Sequence, residues 1–372
     1  MIYLDYSATT PVDKEVLDTY IKVTNEFIGN ANSIHKLGMN SNKLITISTE
    51  KIKELLKLKD MDVIYTSGAT ESNNMVIKGV VNKYKNRGKH IITTELEHSS
   101  ILEPLEKLKQ EGYKIDYVKL DKEGQVDIED LKKLMTEDTI LVTIAKVSSE
   151  LGIVQDLEKI SEVVRKYPKC FFHSDLTQAI GKTEVDINIL DFASTSTQKT
   201  YGPKGIGLLL KKKNIIIDQL IDGGKSTTSY RSGTPATPLI AATAKAIRLS
   251  LDNMKHINEI KNLNKYLLDN IKDLNIDINS TSKSIPHILN FSLRNIKSET
   301  MLHALEEKEI YVSTTTACSK GSFSLPVYAL TSDVDRASRT IRVSLSHLTT
   351  KEELDIFIKE LKLAINKLTL RN

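Results

Sequence analysis

Ser196-Thr197-Gln198-Lys199-Thr200-Tyr201-Gly202-Pro203-Lys204-Gly205 ends a Ser/Thr tract with a lysine and a glycine-proline turn, between apolar runs. Upstream stands His173-Ser174-Asp175-Leu176-Thr177-Gln178. An acid ending one apolar strand and a lysine following the next suit a pyridoxal phosphate (PLP) site. The amine can form a Schiff base with the cofactor aldehyde, and the carboxylate can keep the pyridine nitrogen protonated. The ring is then an electron sink for the α-carbanion of an amino acid. Lys199 alone is one lysine among many; the tract before it and the turn after it single it out.

Outward from this stretch, strand-like runs alternate with helical patterns. Strands are expected over 63–65, 90–93, 113–118, 140–144, 170–172 and 206–210, and amphipathic helices over 101–109, 128–135 and 160–166. Such alternation predicts an α/β fold, a mostly parallel sheet with helices on both faces. One long helical stretch, 239–273, follows Pro238. Strands at 288–293 and 340–345 then mix with helices at 299–307 and 352–368, an α+β pattern. The expected division is a large domain over 13–245 and a small one built from 1–12 and 246–372.

Bulk properties exclude several classes. A net charge of +4 over 372 residues does not argue for nucleic acid, and no nucleic-acid-binding motif is present. No apolar run approaches the ~20 residues that span a bilayer. Two cysteines and no signal-peptide pattern at the N-terminus fit a reducing, cytoplasmic setting.

Other candidates gather around the lysine. Gly68-Ala69-Thr70-Glu71-Ser72 follows a strand and opens a helix, where backbone amides and the Thr70 hydroxyl can cradle phosphate. The plain alternative is a helix cap. His98 lies just past another strand, placed to stack on a ring or shuttle a proton, although a lone histidine there is more often structural. Gln178 can reach the phenolic oxygen of the ring. The cysteines contrast. Cys170, in Cys170-Phe171-Phe172, reads as inert core. Cys318, in Thr316-Ala317-Cys318-Ser319-Lys320-Gly321, lies in a polar stretch where Lys320 favours the thiolate.

With these residues in hand, the chain resembles cysteine desulfurases of the NifS/IscS type, class V aminotransferase-like PLP enzymes of fold type I. The resemblance runs nearly end to end. It includes Tyr3-Leu4-Asp5-Tyr6-Ser7-Ala8-Thr9-Thr10-Pro11, Gly29-Asn30-Ala31-Asn32-Ser33-Ile34-His35, Thr66-Ser67-Gly68-Ala69-Thr70-Glu71, Tyr201-Gly202-Pro203-Lys204-Gly205, Arg231-Ser232-Gly233-Thr234, Ala317-Cys318-Ser319 and Ile341-Arg342-Val343-Ser344-Leu345. It implies that Lys199 carries the cofactor, Asp175 faces the pyridine nitrogen, Gln178 the ring oxygen, and His98 stacks over the ring. Ala69, Thr70, Ser196 and Gln198 would lie at the cofactor, with Thr234 supplied by the partner subunit of a homodimer. Arg342 would clamp the substrate carboxylate, with Ser149 and Asn30 beside the substrate. Cys318 would take sulfur from L-cysteine as a persulfide, leaving alanine, and pass it to an acceptor protein for iron–sulfur clusters or thiolation.

The departures cluster at the same site. Gln198 stands where the family usually has histidine, and Ser149 where it has an asparagine that helps Arg342. Leu176 replaces an alanine, and Lys225-Ser226-Thr227-Thr228 replaces a Gly-(His/Gln)-Glu-Arg motif. Losing one charge-assisted carboxylate contact costs about 1.5–3 kcal/mol, which weakens an enzyme without abolishing it. Lys199, Asp175 and Cys318 remain, so a desulfurase is the leading reading. Another PLP reaction on the same fold (selenocysteine lyase, C–S lyase or aminotransferase) and a low-activity partner-binding homologue are the alternatives.

Overall fold

The computed structural model describes residues 1–224, 226–314 and 323–369. After a two-residue strand, β1 (Ile2–Tyr3), the apolar runs form β2 (Met61–Thr66), β3 (His90–Thr93), β4 (Lys114–Tyr117), β5 (Thr139–Thr143), β6 (Phe171–Asp175), β7 (Phe192–Ser196) and β8 (Gly207–Lys212). These seven later strands join in the order β2-β8-β7-β6-β5-β3-β4. Side chains alternate across the sheet as the two-residue strand period requires. Ile91, Leu141, Phe171, Phe192 and Leu209 pack under the helices Ala69–Tyr84 and Ser99–Gln110. Ile92, Val142, Phe172, Ala193 and Leu208 pack under Lys36–Leu55, Ile128–Leu134, Leu157–Val164 and Thr237–Asp252. With both faces covered, β5, β6 and β7 are buried at every residue.

Strand direction decides where a site can form. β3 to β7 run parallel, while β8 is antiparallel to both β7 and β2. β2 therefore points the same way as β7. The carboxyl ends of β2, β3, β5, β6 and β7 share one edge, where ligands of open α/β sheets bind.

The later strands β9 (Ile276–Ile278), β10 (Ile288–Leu293), β12 (Ser313–Thr314) and β13 (Thr340–Ser344) make an antiparallel sheet ordered β12-β13-β10-β9, while β11 (Ile310–Tyr311) pairs with β1. The helices Ile257–Ile271, Ser298–Glu306 and Lys351–Thr369 bury Leu267, Met301 and Phe357 against it. The N-terminal segment then bridges the two sheets: Ser344 N donates to Leu4 O at 2.7 Å, and Thr10 N to Gln198 O at 2.8 Å.

Two expectations are corrected. The stretch 239–273 is not one helix: a 3-10 turn at Asn253–His256 separates Thr237–Asp252 from Ile257–Ile271. The first packs Ala244 and Ile247 on the large sheet and the second packs Ile260 and Leu267 on the small one. One straight rod could not serve both. β7 is the second correction. Its Phe192-Ala193-Ser194-Thr195-Ser196 lacks the β-branched apolar run that marks a buried strand, so it escapes the list drawn from apolar runs.

Candidate active site

A cavity of about 250 Å³ opens at the carboxyl edge of the large sheet. Nine of the expected site residues line it: Ala69, Thr70, His98, Ser149, Asp175, Gln178, Ser196, Gln198 and Lys199. They come from five different strand ends, which only the shared direction of those strands brings together.

One end is built for an anion. The helix Ala69–Tyr84 starts after Gly68, and no side chain caps it. Its first amides keep their donors for a ligand, and the helix dipole favours negative charge there. Thr66 Oγ1 holds the turn from below, donating to Gly68 O at 3.1 Å. Space is tight: a Cβ on Gly207 of β8 would fall 2.6 Å from Gly68 Cα, so only glycine fits. Across the gap Ser196, 6% exposed, ends β7 with its side chain unused as a cap.

Asp175 closes β6 in the middle of the cavity. Asn73 Nδ2 donates to its Oδ2 at 2.8 Å, and Thr177 N to its Oδ1 at 2.8 Å. These bonds orient the carboxylate. His98 both caps its helix and lines the cavity: Ser100 N donates to its Nδ1 at 3.1 Å, and Ser100 Oγ lies 2.9 Å from that nitrogen. Accepting an amide N–H leaves Nδ1 without a proton in this tautomer. Burial lowers the His98 pKa, Asp175 opposes that, and the charges of Lys199 and Arg342 reinforce it. The imidazole is neutral. Its neighbour Glu97 carries no signal in the sequence, yet it is 5% exposed and accepts from Thr94 Oγ1 at 2.8 Å and Ala145 N at 3.0 Å. Burial pushes its carboxyl up to about 8 against those hydrogen bonds, with Asp175 adding to the rise.

Lys199 follows β7 on a short 3-10 turn. Its Nζ donates to Ser7 O at 2.5 Å and also to Ala8 O, so the N-terminal segment sets where the amine stands. Gln178 Nε2 donates to the same Ser7 oxygen at 2.8 Å. Gln198 contributes its carbonyl to Thr10, which fixes the turn. His173, two residues before Asp175, is structural: it sits between Thr143 and Ser194 hydroxyls at 2.8 and 2.9 Å.

Other expected residues stand outside the cavity lining. Arg342, 8% exposed at the centre of β13, donates from Nη2 to Asp5 Oδ1 and from Nη1 to Ser149 O, both at 2.9 Å. Its buried Nε has no hydrogen-bond partner among the described residues. Ser149 thus meets the guanidinium through its backbone carbonyl, not its hydroxyl, and Asp5 is a partner that motif reading did not single out. Thr234 lines a neighbouring cavity of about 100 Å³ with Thr66, Ser67 and Arg231. Asn30 is exposed in a turn, its Oδ1 accepting from Asn32 N at 3.0 Å. Cys318 lies outside the described residues. Cys170 is core as expected, 4% exposed, with burial raising its thiol pKa. Among the described residues no helix is long and apolar enough to cross a membrane, and no cluster of three or more His, Cys, Asp or Glu could hold a metal.

The sequence pattern of the aminotransferase class-V family matches residues 2–357. A NifS/IcsS protein homolog of Lactobacillus delbrueckii subsp. bulgaricus is 39% identical over 370 residues, covering 96% of this chain and 95% of its own length. The cysteine desulfurase IscS of Dictyoglomus turgidum is 37% identical over 375 residues, covering 99% and 95%. A solved structure of a NifS-like protein superposes with a TM-score of 0.92 at 33% identity, covering 99% of this chain and all of its own. A match over nearly the whole chain, on a fold whose strand ends gather the lysine, the acid and the anion cradle, makes this chain a member of the class V aminotransferase family, in its NifS/IscS group.

Proposed function

We propose that the chain is a cysteine desulfurase that binds pyridoxal phosphate at the sheet edge and moves the sulfur of L-cysteine to Cys318, releasing alanine. The gathering of nine expected side chains around one cavity carries this reading. The donor set fits the cofactor. The uncapped amides of Ala69 and Thr70 with the Ser196 hydroxyl suit a phosphate, Asp175 suits a protonated ring nitrogen, and a Gln178 N–H suits the ring oxygen. When bound, the cofactor supplies the electron sink that makes the substrate's α-proton removable.

The protein's own residues do the rest. Asp175, braced by Asn73 and Thr177, keeps a negative charge facing the ring. Lys199 Nζ would hold the cofactor and, once substrate has displaced it, would be the base for the α-proton. His98, neutral and held through Nδ1, is free at Nε2 to carry a proton. Arg342 would offer the substrate carboxylate its Nε, without a partner among the described residues, together with the Nη2 that Asp5 Oδ1 now holds, a planar donor's task. In this reading residues 13–245, with the end of their last helix to Asp252, form the larger unit, 1–12 and the rest of 246–372 the smaller, and substrate lies between them. Thr234 completes the phosphate site of the other protomer in a homodimer, and an acceptor protein collects sulfur from Cys318. The setting is cytoplasmic.

The test is alanine release from L-cysteine under reducing conditions, for the cofactor-loaded protein beside Cys318→Ala. Alanine with equimolar sulfide from the parent alone is expected. Equal turnover by Cys318→Ala would point to a different reaction on the same fold.

A further inference from the structure

Lys182 is a buried amine that the proposed reaction does not use. It is 8% exposed, and no carboxylate pairs with it among the described residues. Its polar partner is Gln178 Oε1, to which Nζ donates at 2.5 Å. A buried lysine without an acid is costly, so its position demands a reason. The turn after β6 brings the two together. Ala179 N and Ile180 N donate to Leu176 O, and Lys182 N to Ala179 O, so Gln178 and Lys182 stand on one face of a helical turn. Gly181 makes the turn possible: its φ is +74°, and a Cβ there would fall 1.9 Å from Ser250 Oγ.

A glutamine amide is nearly symmetric in shape, so its neighbours decide whether it offers N–H or C=O. Gln178 is 4% exposed and lines the cavity. One N–H goes to Ser7 O, an acceptor that Lys199 Nζ also uses. Oε1 is fixed by Lys182, and the second N–H has no partner among the described residues. Flipping the amide would set N–H against the Lys182 amine and C=O against the Ser7 carbonyl. Behind Lys182 a void of about 20 Å³, lined by Ser7, His287 and His347, has room for one water, and the buried His287 Nδ1 lacks a partner there. Burial, aided by Lys199 and Arg342, lowers the Lys182 pKa to about 7; the ammonium can only donate, whereas the neutral amine can also accept, and the Ser7 carbonyl opposes the flip in both states.

We infer that Lys182 is a positioning residue, which locks Gln178 as a hydrogen-bond donor toward the phenolic oxygen of the ring and so lowers the pH at which the bound cofactor loses its proton. This rests on the cofactor reading above. The test follows the long-wavelength absorption of the bound cofactor against pH, with no turnover. Lys182→Met is expected to raise the spectral midpoint by roughly one pH unit, the scale of one lost hydrogen bond to an anion. Gln178→Leu should raise it similarly, and the double variant should go no further. An unshifted midpoint in a folded Lys182→Met overturns the inference. So does a double variant in which the two shifts add, since Lys182 would then act by charge and not through Gln178. Lys182→Gln keeps a donor without the charge and guards against a misfolded Met variant. Its midpoint should stay within about 0.3 pH unit of the parent, and a full shift overturns the inference. A parent with no cofactor band overturns the cofactor reading itself, a different failure from a band that does not move.

Discussion

Asp175 and Arg342 each stand at the middle of a sheet, and their surroundings differ in kind. Asp175 ends a parallel strand and is held by Asn73 from the adjoining helix and by Thr177 two residues on. Both its oxygens are oriented before any ligand arrives. Arg342 projects from an antiparallel strand toward Asp5 and Ser149, more than 190 residues away in the chain, and its Nε has no partner among the described residues. One side chain is finished by its own layer of the fold. The other keeps a buried donor without a partner among the described residues. The first arrangement suits a charge that stays fixed throughout a reaction, and the second suits a group that comes and goes.

The largest effect should come from breaking the finished side. Asp175→Asn keeps the shape and removes the charge, and alanine formation should fall on the order of 10²–10³-fold, as when one preorganised electrostatic contact is lost. Steady-state kinetics with saturating cofactor measure it. A loss below about tenfold would mean that the braced carboxylate is scaffold and not chemistry.

A smaller, differently shaped loss is expected on the open side. Arg342→Ala should raise KM for L-cysteine ten- to a hundredfold, about 1.5–3 kcal/mol, with kcat less affected. Asp5→Asn sharpens the point. Asp5 holds one edge of the guanidinium at 2.9 Å, and Nε is without a partner among the described residues. Its loss should raise KM by less than about tenfold, since the arginine keeps its Ser149 contact. An equal fall in kcat and kcat/KM for Arg342→Ala would move this residue to the side of fixed charge.

How much of this was legible follows the same division. Strand-end residues such as Asp175, His98 and Thr70 could be read because an apolar run, then a polar cluster, marks the edge of a parallel sheet. Lys199 was found from its Ser/Thr tract and turn, although β7 itself, written Phe192-Ala193-Ser194-Thr195-Ser196, carries no apolar periodicity. Asp5 was quoted as motif and not as a partner, because its contact depends on how the N-terminal segment crosses between the two sheets. The residue type at Ser149 points to its side chain, but the contact is made by its backbone, which no residue type announces. Glu97 and Lys182 were not singled out, because burial of a charged residue is a property of packing and leaves no local signature.

Glu97 offers the smallest predicted effect and tests whether the finished side is held by neutral groups as well as charged ones. Its carboxyl is raised from 4.5 to about 8 in the folded chain. Between those values the folded form keeps a proton that the unfolded chain releases, so folding stability declines as pH rises across that window. Below about 4.5 both forms are protonated and the effect is absent. Glu97→Gln removes the titration, keeping an oxygen for Ala145 N but not the full set of acceptors. It should therefore lose some stability at pH 5, and recover relative to the parent by roughly 2–4 °C as pH rises to about 8. Melting curves across that range read the difference directly. Parallel curves would place an ionised carboxylate at Glu97, held by the Ala145 amide and the Thr94 hydroxyl, and the wall behind His98 would then be charged like Asp175.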